Sequence, residues 1–343
     1  MEAAEYFSKD FEWEELRAEV ENDPSLRCHL LPFESSNPSS IKAADEDSAA
    51  WKRFHVRHSS GKFFKERRYL LKEFPELVSC GEHYKVLEVG CGNGSTALPI
   101  LRGNEHIIVY ACDCSTETLE RAEEIIAAAN VASVRHRFHT FCCDFSTTGF
   151  PEWLGCHTCQ EIFLQKQQIC LSGFDFHPSH CCVLLLSPYA IYTSDFFFAS
   201  PDVKENNRND AYSLKERHCC IGGVDFVTLV FTLSAVPFQR MPTSIKECFS
   251  VLKPGGILLF RDYGLYDMTM LRFKSDQRVG FREYMRSDGT RSYFFCLDTV
   301  RHLFLGAGFI ELELEYCCVK SVNRRNGNSM LRVWVHGKFQ RPM

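Results

Sequence analysis

The sequence predicts an α/β fold of the Rossmann-like type, in which a mostly parallel sheet carries helices on both faces. From Lys85 onward, short runs rich in β-branched residues alternate with stretches whose apolar residues have helical spacing. A glycine-rich turn, Gly90 to Gly94, directly follows the first of these runs. A chain of 343 residues is long enough for one large core with smaller additions.

Residues 1–50 are predicted to form a flexible acidic N-terminal arm. They are rich in Asp and Glu, and Glu34 to Ser40 is a Ser/Pro/Asn stretch that can bury little apolar surface. The chain start has neither an apolar secretory region nor the Arg-rich character of a transit peptide. We therefore expect a cytoplasmic location, with the nucleus as the alternative.

Residues 51–84 form a basic and aromatic segment, predicted to cap a cofactor and contact RNA. Lys52 to Lys72 contains eight Lys and Arg residues against one acidic residue, Glu66. Such a block suits contact with phosphates, although the net charge of −5 excludes a uniformly basic nucleic-acid binder. The alternative is an amphipathic segment whose charges remain in water.

Residues 85–343 are predicted to form the main domain. Its strands are expected at Lys85 to Val89, Ile107 to Cys112, Arg137 to Cys143, Val224 to Thr232, Ile257 to Asp262, Phe309 to Tyr316 and Leu331 to Phe339. Thr116 to Asn130 is predicted to be an amphipathic helix capped by Ser115. A second helix, Ile245 to Leu252, should end at Lys253-Pro254-Gly255-Gly256.

An irregular insertion is expected at about residues 155–221, because this connection is far longer than an ordinary crossover. Its apolar run, Cys181 to Tyr192, is too short to span a bilayer, so we expect no membrane contact. The 18 cysteines are interpreted as reduced thiols. Cys156 and Cys159 have metal-ligand spacing, but no second well-spaced pair completes a site, although Cys181-Cys182 and Cys219-Cys220 lie downstream. No metal site is predicted.

The glycine-rich turn indicates the cofactor. Its spacing from Glu88 through Gly90, Gly92 and Gly94 is E-x-G-x-G-x-G, and Ser95 occupies the place of the third glycine of a dinucleotide loop. This spacing favours S-adenosylmethionine over NAD. Asp113, about one strand later, is placed to accept hydrogen bonds from a ribose diol, and Asp144 with Phe145 to contact an adenine ring. The alternative for Asp144 is a surface carboxylate.

Five further motifs carry a resemblance to a known family. They are Phe63-Phe64-Lys65-Glu66-Arg67-Arg68-Tyr69-Leu70 with Glu73-Phe74-Pro75-Glu76-Leu77, Thr232-Leu233-Ser234-Ala235-Val236, Leu252-Lys253-Pro254-Gly255-Gly256, Phe260-Arg261-Asp262-Tyr263-Gly264-Leu265-Tyr266-Asp267, and Arg286-Ser287-Asp288-Gly289-Thr290-Arg291-Ser292-Tyr293-Phe294-Phe295. From Trp51 to Phe339, apart from residues 149–222, the chain resembles the tRNA N3-methylcytidine methyltransferases, which modify the tRNA anticodon loop.

The resemblance implies a class I methyltransferase with a seven-stranded sheet and S-adenosylmethionine as cofactor. It places cofactor contacts at Gly90, Asp113, Asp144, Phe145 and Val230. It adds Trp51 and His55, because a W-x-x-F-Y segment covers the cofactor in the family and His55 occupies the place of the tyrosine. It also implies tRNA as substrate and, as a partner in its selection, an aminoacyl-tRNA synthetase or another tRNA-binding protein.

The chemistry suggests a catalytic group. Methylation of cytosine N3 leaves a positive charge on the base, which a carboxylate or an aromatic face would stabilise. Asp262 follows the fifth strand at the ligand-binding edge, and Tyr263 and Tyr266 beside it could stack the base. The alternative is an ion pair between Arg261 and Asp262, with both tyrosines as packing residues.

Phosphate contacts are predicted at six basic residues: Lys62, Lys65, Arg67, Arg68, Arg286 and Arg291. Two other functions remain open. The first is a methyltransferase of a small molecule or protein, which would not need the basic block. The second is a catalytically inactive RNA-binding variant, which would bind the cofactor without transferring a methyl group.

Overall fold

The computed structural model describes residues 9–33, 44–58, 66–81, 83–131, 133–156, 159, 219–322, 327 and 329–343. The predicted Ser/Pro/Asn stretch, most of the insertion, and the residues Lys62 and Lys65 lie outside this part of the chain. No helix in the described part combines the length and the apolar character that crossing a membrane requires.

A seven-stranded sheet forms the centre of the molecule. Its strands are β1 (Lys85–Val89), β2 (Ile108–Asp113), β3 (Phe138–Cys142), β4 (Val224–Val230), β5 (Leu252–Tyr263), β9 (Ile310–Val322) and β10 (Ser329–Gln340). Their order is β3-β2-β1-β4-β5-β10-β9, in which β10 pairs antiparallel with β5 and β9 and the other pairs are parallel. All seven predicted strands are confirmed, with ends displaced by a few residues.

A small antiparallel sheet is an addition that the sequence pattern did not reveal. It consists of β6 (Arg278–Gly280), β7 (Glu283–Met285) and β8 (Arg291–Tyr293). Three-residue strands are too short to display a period of two along the sequence. The strands instead depend on packing, because Tyr284 is completely buried against Phe273 and Phe294.

Helices cover both faces of the main sheet. They are α1 (Trp13–Asn22), α2 (Arg27–Leu30), α3 (Ala44–Arg57), α4 (Leu70–Glu73), α5 (Glu76–Ser79), α6 (Ala97–Gly103), α7 (Thr116–Ala128), α8 (Val134–Arg137), α9 (Met241–Val251), α10 (Met268–Leu271) and α11 (Leu297–Gly306). Alternate β1 residues face opposite cores, with Val86 on the α6 and α7 side and Leu87 on the α9 and α11 side. The prediction of helices on both faces is confirmed.

Both predicted helices of the main domain are confirmed. The Ser115 side chain accepts a hydrogen bond from the backbone N–H of Thr118 and so caps α7, as expected. The second helix ends at Val251, but β5 already begins at Leu252 and includes the predicted Pro-Gly-Gly turn. Gly255 has a φ of 75°, a conformation that favours glycine, and the pairing of β5 with β4 is irregular at this start of the strand.

The N-terminal segment differs from the predicted arm within residues 9–33. Leu16 and Val20 of α1 are buried against Tyr266 and Met270. The Trp13 ring stacks on Tyr316 of β9 with 4.6 Å between ring centroids. This segment therefore packs on the domain, because its few apolar residues meet a complementary apolar surface built by the end of the chain.

Candidate active site

A cleft opens at the carboxyl edge of the main sheet, where β1, β2, β3 and β4 end. Eight of the predicted cofactor residues line it, namely Trp51, His55, Gly90, Gly92, Asp113, Asp144, Phe145 and Val230. Four different strand ends and α3 supply these residues, so the fold brings together side chains that are far apart in the sequence. The carboxyl edge is where open α/β sheets bind their ligands.

The turn after β1 brings backbone to the floor of the cleft. Gly90 has a φ of 66°, and a Cβ atom there would lie 2.5 Å from Cγ2 of Thr232. Only glycine fits this position without strain. Thr232 in turn donates a hydrogen bond of 2.9 Å to the Val89 carbonyl, which ties the end of β4 to the end of β1.

Asp113 joins the loops that follow β1 and β2. One carboxylate oxygen accepts a hydrogen bond from the Gly92 N–H at 3.0 Å, and the other accepts one from the Ser115 N–H at 3.1 Å. Each oxygen keeps a second lone pair. The carboxylate can therefore hold the glycine turn in shape and still accept a hydroxyl from a ligand in the cleft.

Asp144 and Phe145 form the wall after β3. Asp144 accepts hydrogen bonds from the hydroxyls of Ser48 and Ser146, so its carboxylate links this wall to α3. The Phe145 ring is buried and stacks on Phe150, with 5.6 Å between centroids. The wall thus offers an apolar ring face beside a fixed carboxylate.

The helix α3 closes the cleft from above. Its Asp47 pairs with Arg240 at 2.6 Å and with Arg291 at 3.3 Å, and these ion pairs fasten the helix to the domain. The ring of His55 lies over the glycine turn, since its Cε1 atom is 3.6 Å from the Cβ position of Gly92. Burial lowers the pKa of His55, which keeps its imidazole neutral above the turn.

Glu88 and Gly94, the other two predicted cofactor residues, lie behind the cleft wall. Glu88 is almost completely buried, and burial raises the pKa of its carboxyl group to about 8. Gly94 has a φ of 79° and packs against Ile126 of α7. Both residues support the glycine turn from below, which differs from direct contact with a ligand.

Arg67 also lines the cleft, and its predicted contact with phosphate stays a prediction. Its guanidinium lies 5.3 Å from the ring centroid of Phe231 and donates to the Thr96 hydroxyl at 3.0 Å. Its backbone N–H bonds to the Ser95 carbonyl. The side chain therefore belongs to the floor of the cleft, while its neighbour Arg68 points to solvent and pairs with Glu66 at 3.1 Å.

Asp262 is completely buried beneath the 3₁₀ turn Leu233–Ala235. Its two carboxylate oxygens accept separate backbone hydrogen bonds, from Ser234 N–H at 2.9 Å and from Tyr263 N–H at 2.8 Å. Burial raises the pKa of this carboxyl to about 6. The alternative ion pair with Arg261 is wrong, because neighbouring strand residues face opposite sides and Arg261 pairs with Glu73.

The two tyrosines beside Asp262 have different surroundings. Tyr263 packs against Phe231, a residue of the cleft, with 5.1 Å between ring centroids. Tyr266 is buried, stacks on Trp13 and bonds to Glu21 of α1. The predicted stacking of a base on Tyr266 is therefore corrected, because α1 already occupies its ring. A catalytic role for Asp262 and Tyr263 stays a prediction.

The predicted basic surface is only partly exposed. Arg291 is buried between Asp47 and Glu283, at 3.3 and 3.0 Å, so it acts as a structural ion-pair partner instead of a phosphate contact. Arg286 is half-buried and donates to the carbonyl of Arg291 at 3.4 Å. Lys52, Arg53 and Arg57 on α3 are exposed and positively charged, although they are not among the six predicted phosphate contacts.

Several cleft residues escaped the sequence prediction altogether. Phe231 and Thr232 follow β4 and line the cleft, as do Ser48 and Arg240. The motif from Thr232 to Val236 was recognised without a role. A hydroxyl-bearing residue two positions after the end of β4, at the carboxyl edge, is the signal that could identify Thr232.

The cleft suits S-adenosylmethionine by the chemistry of its walls. The indole N–H of Trp51, which lines the cleft, is buried without a hydrogen-bond partner among the described residues. It leaves a donor for an incoming ligand. Phe145 and Val230 supply apolar surface for a ring, and Asp113 supplies an acceptor for hydroxyls. S-adenosylmethionine, a nucleoside with a polar tail, needs both an apolar surface for its ring and polar groups for its hydroxyls.

Comparison with known proteins agrees with this reading of the cleft. Residues 63–313 match a family model described as a methyltransferase domain. The chain is 32% identical over 305 residues to the tRNA N(3)-cytidine methyltransferase METTL6 of Homo sapiens, with 88% of this chain and 82% of that protein covered. It is 28% identical over 346 residues to the tRNA N(3)-cytidine methyltransferase METTL2 of Danio rerio, with 90% and 78% covered.

Among solved structures, the chain is similar to 1,6-didemethyltoxoflavin-N1-methyltransferase of Burkholderia thailandensis, which contains bound S-adenosylhomocysteine. The TM-score is 0.50 at 11% identity, and 91% of this chain and 99% of that chain are covered. At this identity the likeness concerns the fold alone.

Proposed function

Because the chain belongs to the methyltransferase-domain family, and within it to the tRNA N(3)-cytidine methyltransferases, we propose that it methylates N3 of a cytidine in the tRNA anticodon loop. The proposal is supported above all by the cleft at the carboxyl edge, in which α3 covers a glycine turn and Asp113. A relative at 32% identity that spans most of both chains gives the reaction class.

S-adenosylmethionine is the cofactor of this enzyme and supplies an electrophilic methyl group on its sulfonium. Asp113 and the Gly90 to Gly94 turn would hold the ribose of the cofactor and the part of it that faces the protein backbone. Trp51 and Phe145 would enclose the rest of the cofactor. The neutral His55 adds no positive charge beside a cationic ligand, since burial lowers its pKa. Each residue therefore matches the charge of the group that it would meet.

The anticodon loop suits this reaction for a chemical reason. Cytosine N3 carries the lone pair that attacks the methyl group, but that lone pair is engaged in a duplex by base pairing. Loop nucleotides are unpaired and can be turned out of the stack into a pocket. A cleft lined by aromatic rings could then receive the base.

Phe231 is our candidate for contact with the base. It lines the cleft, packs against Tyr263, and its ring lies under the Arg67 guanidinium at 5.3 Å. Asp262 lies one step behind, holding the turn at Ser234 through a 2.9 Å hydrogen bond. In this proposal Asp262 is a positioning residue that fixes the position of the turn relative to the base.

The tRNA backbone would contact the exposed positive face of α3 together with Arg68. Lys52, Arg53 and Arg57 are exposed on this helix, which covers the cleft, so phosphates beside a bound base would lie near them. Each such contact releases condensed counterions and makes binding salt-dependent. A methyltransferase of small molecules would have no use for this surface.

Selection of the tRNA by a partner is also proposed, and its support is the family resemblance. An aminoacyl-tRNA synthetase or another tRNA-binding protein would add contacts outside the loop. A cytoplasmic site of action follows from the same proposal, because mature tRNA and synthetases meet there.

The test is methyl transfer from labelled S-adenosylmethionine to total tRNA, followed by nucleoside analysis for 3-methylcytidine. The position is then mapped by reverse transcription, because a methyl group on the pairing edge stops the polymerase. We expect a stop in the anticodon loop that disappears with Asp113→Ala. A stop elsewhere in the tRNA would overturn the loop assignment.

Two further outcomes identify the competing functions. Label in small molecules or proteins, with none in tRNA, would support a different methyltransferase. Cofactor binding without transfer, even after cell extract is added, would support an inactive RNA-binding variant. Charge reversal in Lys52→Glu/Arg57→Glu should weaken tRNA methylation and leave cofactor affinity unchanged, with Arg121→Glu on α7 as the matched control.

A further inference from the structure

Four cysteine thiols meet at the start and end of the long connection between β3 and β4. They belong to Cys156, Cys159, Cys219 and Cys220, and their sulfur atoms all lie within 4.8 Å of one another. Sγ of Cys219 is 3.0 Å from Sγ of Cys156 and 3.2 Å from Sγ of Cys159. The first pair is a C-x-x-C motif and the second pair lies about 60 residues later, so the fold supplies the second pair that the sequence pattern lacked.

Backbone hydrogen bonds independently hold the two ends of this connection together. The Ile221 N–H bonds to the Trp153 carbonyl and the Gly223 N–H to the Leu154 carbonyl, both at 2.8 Å. Leu154 is completely buried in the main core. The meeting of the cysteines therefore follows from the core structure and does not depend on contacts between the thiols.

A backbone hydrogen bond orients one of the four sulfur atoms. The Gly222 N–H donates to the Sγ of Cys220 at 3.4 Å. Hydrogen bonds of this kind orient sulfur, as partners of metal ligands do. The ammonium of Lys85 lies close by, bonded to the Ile221 carbonyl at 2.6 Å.

We propose that Cys156, Cys159, Cys219 and Cys220 form a structural tetrathiolate zinc site. Zinc takes four sulfur ligands at about 2.3 Å in tetrahedral geometry, which places the sulfurs roughly 3.8 Å apart, within the observed spread. Binding displaces the thiol protons to solvent. A single disulfide would bring together only two sulfurs, whereas here each of the four lies within 4.8 Å of the other three.

The site lies at the amino edge of the main sheet, opposite the cleft. Ile221 is next to the start of β4, and its carbonyl contacts Lys85, the first residue of β1. A metal here would close a loop of about 60 residues, whose ends would otherwise separate freely in the unfolded chain. The zinc would therefore contribute to folding and anchor the long insertion without entering the reaction.

The test begins with the metal content of the full-length protein, purified without chelators or added metal. Elemental analysis should find about one zinc per chain. Cobalt replacement should give the visible absorption of a tetrahedral cobalt tetrathiolate, a readout that does not involve catalysis. Loss of a residue that only hydrogen-bonds to a metal ligand lowers metal affinity by about 10- to 100-fold. Cys156→Ser/Cys159→Ser removes two ligands themselves, so the zinc content should fall at least tenfold.

The matched control is Cys28→Ser/Cys142→Ser, which removes two thiols outside the cluster and should retain the zinc. If the serine variant fails to fold, Cys219→His keeps the test decisive, because histidine ligates zinc and should preserve the metal. Wild-type protein without zinc, with a Cys156–Cys219 disulfide or four freely reactive thiols, would overturn the site. So would stoichiometric iron, or zinc that persists in the serine variant.

Discussion

Two aspartates at opposite edges of the main sheet make similar hydrogen bonds but lie beside different parts of the molecule. Asp113, at the carboxyl edge, accepts hydrogen bonds from Gly92 and Ser115 and lines the cleft. Asp225, at the amino edge, accepts from the Lys85 N–H at 2.8 Å and from Lys253 Nζ at 2.7 Å, near the ends of the long insertion. Both join neighbouring strand ends, but only Asp113 has a ligand-binding cleft beside it.

Both edges of the sheet therefore have an aspartate that accepts hydrogen bonds at the strand ends, whereas binding of a ligand depends on the structure beside that aspartate. Backbone at the carboxyl edge folds into a glycine turn with α3 above it, which leaves room for a ligand. At the amino edge, the Ile221 carbonyl instead accepts a hydrogen bond from Lys85 Nζ, and Cys219 and Cys220 of the cysteine cluster directly precede Ile221. The two edges should therefore respond separately to substitution.

The largest effect is expected at Asp113. Asp113→Ala removes the acceptor of two turn N–H groups and a ligand-facing carboxylate, so affinity for S-adenosylmethionine should fall by about 100-fold. Asp225→Ala should lower the melting temperature and leave cofactor affinity unchanged. Calorimetric titration and thermal unfolding of both variants measure this, and an equal loss of affinity in the two would remove the distinction between the edges.

Asp262→Asn should have the next largest effect. An amide can accept from only one of the two N–H groups that now bond to the carboxylate, which leaves an N–H donor facing another donor. We expect kcat for tRNA to fall about tenfold, with a smaller change in cofactor affinity. A lower melting temperature accompanying the lower kcat would identify a positioning role, whereas an unchanged melting temperature would favour direct contact with the methylated base.

Glu88, inside β1, sharpens the comparison through pH. Burial raises its pKa to about 8 from a usual value of 4.5, so the folded protein keeps a proton that the unfolded chain has lost between these values. The resulting stabilisation is full below pH 4.5 and disappears as the pH rises through 8. Glu88→Gln, which stays neutral, should therefore gain about 2 °C in melting temperature over wild type between pH 6 and pH 8. A constant difference over this range would contradict the raised pKa.

The smallest effect is expected at Arg68, on the surface of the carboxyl edge. Its side chain is 76% exposed and pairs only with Glu66 among the described residues. Arg68→Gln should reduce the slope of log affinity for tRNA against log salt by about 1. Arg301→Gln, which removes an arginine paired with Asp298 and Glu311, should leave the slope unchanged. Equal slopes for all three proteins would exclude Arg68 from the RNA surface.

Local pattern was enough to predict the strands and the cofactor loop. Apolar periodicity identified all seven strands of the main sheet, and the spacing of Gly90, Gly92 and Gly94 selected the cofactor class. Both signals come from residues close together in the chain. The order of strand ends then determines that Asp113 and Asp144 meet the glycine turn.

Prediction failed where an environment depends on distant parts of the chain. Arg67 and Arg68 are adjacent and chemically identical, yet one lies in the cleft and the other in solvent, because the Ser95 carbonyl fixes the direction of the chain. The sequence also predicts that Tyr266 stacks on the base, because nothing in it shows that Trp13 covers the ring. The sequence likewise does not show that the thiols of Cys156 and Cys219 lie 3.0 Å apart.

The packing of α1 also orders events during synthesis. Trp13 stacks on Tyr316, and Asp10 bonds to the backbone of Cys318 and Lys320, so the chain around α1 is made well before the strand against which it packs. A ribosome adding about 5–20 residues per second therefore exposes the apolar side of α1 for many seconds before β9 emerges. Throughout that interval Leu16 and Val20 are available to chaperones, and native docking of α1 becomes a late step in the formation of the molecule.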